Sequence, residues 1–273
     1  MELILVRHAL PQRREVVDGP ADPELSVDGH AQARHLAEYF STEHLDALYS
    51  SPMKRALQTI EPVGHVKGLP HTVVDGVAEW DKDSNEYIPI EELKAANDPR
   101  WREIVEGAWT SPENPEEFKE RVVSSLETII ANHRGHTVLV SCHGGVINEY
   151  LAHVLGLPSG QFFYPNYTSI HRIAASGRGH RSILSVNETS HLRGTGLPVG
   201  ETLHGLPPRG EQTSCRAQGR VERCRGGVQP RTERAEIGVA GHERKIPTGS
   251  PVPRRCEVSL TDRMLLCPRP EAA

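Results

Sequence analysis

The sequence predicts an α/β fold, a three-layer α/β/α sandwich with a mostly parallel central sheet, over residues 1–193, with a disordered tail over 194–273. Three observations carry this. Short, continuously apolar segments such as Leu3-Ile4-Leu5-Val6 alternate with amphipathic helical patterns, and parallel sheets covered on both faces are built that way. Helix-opening signals follow the ends of those segments. Composition also breaks near residue 193. The first part holds 18 Lys+Arg, 27 Asp+Glu and every Trp, Tyr and Phe of the chain. The last 80 residues hold 13 Lys+Arg, 9 Asp+Glu, 20 Gly plus Pro and no aromatic. A segment so poor in large apolar groups cannot offset the entropy of ordering it. It is expected to be a disordered extension or an out-of-frame read of GC-rich coding DNA, and function is sought in residues 1–193.

The elements follow in order. Glu2–Val6 reads as a buried strand that stops at Arg7-His8. From Asp28 the pattern turns helical, with Ala33, Leu36, Ala37 and Phe40 on one face. Ala47–Tyr49 is a second strand, and Ser50-Ser51-Pro52 is expected to open a helix with a hydroxyl cap and a first-turn proline. Val73-Val74 belongs to a third strand. Residues 80–112 show no periodicity but contain Trp80, Trp101 and Trp109, which suggests an excursion over one end of the sheet. Asn114-Pro115-Glu116-Glu117 marks another helix start; Phe118, Val122, Leu126, Ile129 and Ile130 form its apolar face, and Gly135 ends it. Thr137–Cys142 is a strand, His143-Gly144-Gly145 a turn, and 146–155 a helix closed by Gly156. Strands at 169–173 and 182–186 complete the sheet.

Composition excludes several functions. A net charge of −9 on residues 1–193 argues against nucleic acid, which needs a basic face. No segment approaches the ~20 apolar residues of a membrane span, and the opening run is too short and too acidic for a secretory signal. Cys142 stands alone in the first part, whereas Cys215, Cys224, Cys256 and Cys267 lie in the tail without a Cys-x-x-Cys pair. A reduced, cytoplasmic protein without structural zinc is expected. Cys142, whose neighbour His143 points to the opposite face, reads as a small buried apolar residue.

Ligands in such sheets bind beyond the carboxyl ends of strands, at helix N-termini. Two predicted strand ends carry a histidine followed by a small residue, Arg7-His8-Ala9 and His143-Gly144-Gly145. Fixed cations, close backbone approach and helix amides suit a phosphate-sized anion. Arg55, early in its helix, adds a guanidinium. Each feature alone is ordinary; the ordered set is specific.

That ordered set resembles the histidine phosphatase superfamily, in its phosphoglycerate-mutase-like branch. Leu5-Val6-Arg7-His8-Ala9 is similar to its Arg-His-Gly signature. The stretch Leu25–Ala33 is similar to its Leu-Thr-x-x-Gly-x-x-Gln-Ala helix opening, and Ser51-Pro52-Met53-Lys54-Arg55-Ala56-Leu57-Gln58-Thr59 to its Ser-Pro-x-x-Arg-Ala block. Glu79 stands at the family's acid, Val140–Gly145 matches the second histidine block, and 186–192 resembles a common C-terminal strand ending. The resemblance implies His8 as a nucleophile forming a phosphohistidine. It implies Arg7, Arg55, His143 and Gly144 as phosphate contacts, His143 also as catalytic, and Glu79 as the acid that protonates the leaving oxygen and then activates water. No metal or other cofactor is implied.

Two departures bear on activity. Pro11 and Arg14 replace the Ser and Asn that family mutases carry after the nucleophile, and the segment after Glu79 reads Trp80-Asp81-Lys82-Asp83 without the mutase Gly-x-Trp-Glu-Gly continuation. The expectation is therefore a metal-independent phosphomonoester phosphatase for a small phosphorylated metabolite. A phosphoglycerate-mutase-type phosphotransferase and a weakly catalytic phospho-ligand binder are the alternatives. Arg14, and Trp101 between Arg100 and Arg102 in an expected lid, are candidate substrate contacts. The expected partners are the substrate and, as an option, a second copy in a homodimer, with no nucleic acid and no membrane.

Overall fold

The computed structural model describes residues 1–106 and 113–200; the expectations for Trp109, the tail cysteines and the tail beyond residue 200 concern residues outside them. The chain runs β1 (Glu2–Arg7), β2 (Arg14–Glu15), α1 (Val27–Phe40), β3 (Ala47–Ser50), α2 (Lys54–Lys67), β4 (His71–Val73), β5 (Glu86–Tyr87), α3 (Ile90–Ala95) and α4 (Pro99–Glu106). It continues with α5 (Pro115–Asn132), β6 (Thr137–Cys142), α6 (Gly144–Leu155), β7 (Ile170–Ala175) and β8 (Arg181–Glu188). Six strands form one sheet in the order β4-β3-β6-β1-β7-β8. The ladders among β4, β3, β6 and β1 are parallel, and β7 runs antiparallel to both β1 and β8.

Alternation along β1 explains the three layers, because successive side chains in a strand point to opposite faces. Leu3 and Leu5 pack with Val138 and Val140 against Val122 and Leu126 of α5 and Val146 and Ile147 of α6. Ile4 and Val6 pack with Leu139 against Leu36 and Phe40 of α1 and Ile60 and Val63 of α2. All these side chains are fully buried. A strand buried on both faces has no room for alternation with polar residues, so it reads as a continuous apolar run.

Several local expectations are corrected. Helix α2 starts at Lys54, with Met53 as its N-cap and no capping side chain of its own. The amide of Lys54 donates to the carboxylate of Asp22, at 3.1 and 3.2 Å, while the Ser51 hydroxyl accepts from Met53 N at 3.3 Å just ahead of the helix. His143-Gly144-Gly145 is not a turn: His143 is the N-cap of α6, which begins at Gly144. Helix α5 ends at Asn132 with His133 as its cap, and Gly135 sits in the following turn at φ +81°. The segment that lacked periodicity contains α3, α4 and β5, the last pairing antiparallel with β2. Its elements are too short for a periodic signal.

Residues 194–200 continue along residues 1–193. The amide of Tyr167 donates to the Val199 carbonyl at 2.9 Å, and the Gln32 side-chain amide donates to the Pro198 carbonyl. Truncation after Gly200 is expected to leave the melting temperature unchanged. Truncation after Arg193 removes both acceptors from buried donors, at about 1–3 kcal/mol each, and is expected to lower it by several degrees. Equal melting curves for the two truncations would contradict this boundary.

Candidate active site

The parallel register of β1 and β6 pairs Arg7 with Cys142, and the His8 amide continues the ladder by donating to the Cys142 carbonyl at 2.9 Å. His8 and His143 are therefore each one residue beyond the ends of neighbouring strands, although 135 positions separate them in sequence. Their ring centroids lie 5.2 Å apart.

The segment after His8 is held by residues of the two flanking helices. Ala9 N donates to Thr59 Oγ1 at 2.9 Å, Leu10 N to Gln32 Oε1 at 2.8 Å, and Leu25 N to Gln58 Oε1 at 2.7 Å. Ser26 caps α1 by accepting from Gly29 N at 3.0 Å. Gly29 is required there because a Cβ would overlap the Leu10 carbonyl oxygen. The Gln and Thr of these sequence blocks therefore serve to position the backbone behind His8.

The His8 ring is 3% exposed. Its Nδ1 donates to the Ala9 carbonyl at 2.8 Å, which leaves Nε2 with the lone pair. Burial, followed by the charges of Arg55 and Arg7, holds the imidazole well below its ordinary pKa. It is neutral at neutral pH, with its free lone pair on a fixed nitrogen, as a nucleophile requires.

Cations surround it. Arg7, 6% exposed, donates from Nη1 to the Pro165 carbonyl at 2.5 Å and from Nη2 to Tyr164 Oη at 3.2 Å, and lies 4.2 Å from the Tyr167 ring centroid. It makes no ion pair among the described residues, and its Nε has no hydrogen-bond partner. Arg55, 1% exposed, is anchored through Nη2 to Asp81 Oδ1 at 2.7 Å, while its Nε and Nη1 have no partner. His143 is fully buried; its Nε2 meets Ser51 Oγ at 2.7 Å and its Nδ1 has no partner. With the Ser51 hydroxyl donating to Nε2, Nδ1 carries the ring proton and is a further donor. These unfilled donors, together with the Gly144 amide at the start of α6, are complementary to a multiply charged anion.

Glu79 lies against the first turn of α6. Its Oε2 accepts from Gly145 N at 2.8 Å and its Oε1 from Trp80 N at 3.2 Å. Burial, then the nearby Asp81 charge, pushes its pKa up to about 7 against those hydrogen bonds and Arg55. A carboxyl titrating there both gives and takes a proton near neutrality. Gly145 lets it sit so close, since a Cβ would overlap Glu79 Oε1.

These groups open onto a cavity of about 530 Å³, a size typical of small-ligand sites. Arg7, His8, Arg55, Glu79 and Gly144 line it; His143 is beside His8, ring to ring at 5.2 Å, and outside the lining itself. Two candidates lie elsewhere. Arg14 is exposed in β2. Trp101, 9% exposed, packs with Ile90 and Leu93, so it braces the wall that Ile90 and Leu93 present to the cavity. Cys142 is fully buried and its thiol is pushed up by burial, as an apolar filler would be. Sequence reasoning missed Ser51 and Asp81 as anchors and Tyr87, Tyr164 and Tyr167 as the aromatic shell around the arginines. A signal for the last existed: residues 162–167 contain Phe162, Phe163, Tyr164 and Tyr167 in a chain that is 5% aromatic.

Comparison with known proteins adds to this geometry. The family model described as histidine phosphatase superfamily (branch 1) matches residues 3–189. Phosphoserine phosphatase 1 of Hydrogenobacter thermophilus is 30% identical over 203 residues, which is 70% of this chain and 94% of that protein. An uncharacterized phosphatase, PhoE, of Bacillus subtilis is 28% identical over 154 residues, 56% of this chain and 76% of that one. Among solved structures, an Entamoeba histolytica phosphoserine phosphatase variant in complex with phosphoserine superposes with a TM-score of 0.54 at 23% identity. It covers 70% of this chain and 98% of its own. The mycobacterial glucosyl-3-phosphoglycerate phosphatase gives 0.53 at 21%, over 69% of this chain and 99% of that chain.

Proposed function

The chain belongs to the histidine phosphatase superfamily, branch 1, and from that membership we propose a course by which these residues hydrolyse the phosphomonoester of a small metabolite. The ester phosphate occupies the donors of Arg7, Arg55, His143 and the Gly144 amide. His8 Nε2 attacks phosphorus, and the bond from phosphorus to the ester oxygen breaks. Glu79, protonated, gives its proton to that oxygen, which leaves as the alcohol. The phosphoryl group now rides on Nε2, and the Nδ1 donation to the Ala9 carbonyl stabilises the positive ring. Glu79, now ionised, takes a proton from water as the water oxygen bonds to phosphorus. The nitrogen–phosphorus bond breaks, its electron pair returns to Nε2, and inorganic phosphate departs.

The observation that carries this reading is the fixed orientation of His8: Nδ1 is tied to backbone, so only Nε2 is free to react. Hydrolysis is favoured over phosphoryl transfer because Pro11 has no donor to offer and Arg14 is exposed in β2. The substrate is a small phosphorylated compound, in keeping with a cavity of about 530 Å³. No described helix is long and apolar enough to cross a membrane.

The test is rapid quenching during turnover of a phosphate-labelled ester. Label is expected on His8, followed by stoichiometric release of inorganic phosphate. Interconversion of 2- and 3-phosphoglycerate without phosphate release would replace the hydrolase by a mutase. Tight binding with no label at all would replace it by a binding protein.

A further inference from the structure

The first turn of α6 seats the acid, through Gly145 N and Glu79. Four residues on, on the same helical face, stands Glu149. Its side chain is 6% exposed; Oε1 accepts from Gly160 N at 2.8 Å, and Oε2 is buried without a hydrogen-bond partner. Glu149 and Gly160 line the same cavity as Arg7, His8 and Glu79. A buried polar atom left without a partner is costly, more so when charged, and each such atom in a native structure calls for an explanation.

The unfilled groups of this cavity fall into two chemically opposite sets. Those of Arg7, Arg55 and His143 are all donors and match the phosphoryl oxygens. The atom left over at Glu149 is an acceptor. Four residues, about 6 Å along the helix axis, separate Glu149 from the glycine that holds the leaving-group acid. A ligand complementary to both sets carries its phosphate at one end and a donor, best a cationic one, a few bonds beyond the ester oxygen. The outer wall does not favour a second anion. Arg100 there is held by Asp98 at 2.8 Å and Glu86 at 2.9 Å, and Glu113 by Arg121 at 2.7 Å.

We propose that Glu149 is a specificity-determining residue that accepts a primary ammonium group of the leaving alcohol, so that the preferred substrates are phosphomonoesters of short amino alcohols. This rests on the phosphatase reading above.

The test compares phosphoethanolamine with propyl phosphate, in which a methyl replaces the ammonium. The wild-type protein is expected to favour the amine by more than about 10-fold in kcat/KM, since an unmatched buried acceptor rejects the analogue. In Glu149→Gln, whose side-chain oxygen still accepts from Gly160, the ratio is expected to fall to within about 3-fold of one. Equal use of both esters by the wild type overturns the proposal, as does an undiminished ratio in Glu149→Gln. The wild-type comparison decides even if the variant does not fold. Dissociation constants for both compounds, measured by calorimetry, keep the two readings apart. A preference in Kd without hydrolysis overturns the phosphatase reading and upholds the amine subsite; hydrolysis without preference does the reverse.

Discussion

His8→Ala is expected to lower turnover of every phosphomonoester by at least about 10³-fold and to abolish covalent labelling, with the melting temperature within a few degrees of the wild type. The reasoning is structural. His8 presents one free nitrogen because the other donates to the Ala9 carbonyl, and its burial beside Arg55 and Arg7 keeps it neutral. Alanine removes the attacking atom. It leaves unmet only the Ala9 carbonyl, a cost of about 1 kcal/mol, while removing an ionisable ring from between two cations. Phosphate affinity is expected to survive, since Arg7, Arg55 and His143 are untouched. The comparison is made by initial rates, acid-quench labelling and thermal melts on the same preparation. Retained hydrolysis with intact fold would remove His8 from the mechanism.

Glu79→Gln is expected to separate the two half-reactions. Gln can accept a backbone hydrogen bond but moves no proton. Alkyl phosphates, whose leaving oxygen must be protonated, are expected to lose about 10²–10³-fold in kcat. With 4-nitrophenyl phosphate, whose leaving group departs unprotonated, phosphorylation of His8 should proceed and hydrolysis of the intermediate should stall, so label accumulates. Equal losses on both esters with no accumulation would contradict the dual role.

The same carboxyl makes a stability prediction. Its pKa in the fold, about 7, lies above the ordinary 4.5, so the folded state keeps a proton that the unfolded chain releases. The stability this contributes is full below about 4.5 and is lost as pH rises through about 7. Relative to the wild type, Glu79→Gln should therefore gain about 2 kcal/mol between pH 5 and pH 8, read by denaturant melts. A difference independent of pH would mean that Glu79 is ionised throughout this range.

Much of the scaffold was legible because its signals are local. Continuous apolar runs marked β1 and β6, since each is buried on both faces. Asn114 was recognised as a cap because capping involves only the next few residues. The failures occurred where a distant residue intervened. Asp22, 32 positions upstream, holds the first amide of α2, and the Ser51 hydroxyl meets His143, 92 positions downstream. Trp101 turns inward to Ile90 and Leu93, whereas its place between Arg100 and Arg102 suggested a lid in contact with substrate. Helices α3 and α4 went unread because six and eight residues give too few turns for a period.

From the sequence alone came the α/β alternation, the ordered blocks around His8, Arg55, Glu79 and His143, and the family they resemble. All are properties of residue type and spacing along the chain. The tertiary structure decided what those residues can do together. Only the parallel register of β1 and β6 places two histidines 135 positions apart side by side, and only the packing around Glu79 removes the water that would otherwise hold its proton affinity in the ordinary carboxylate range. Which nitrogen of His8 is free, which arginine atoms lack partners and which acceptor Glu149 leaves unfilled depend on hydrogen bonds between distant segments. Spacing along the chain does not encode those partners; the fold assigns them.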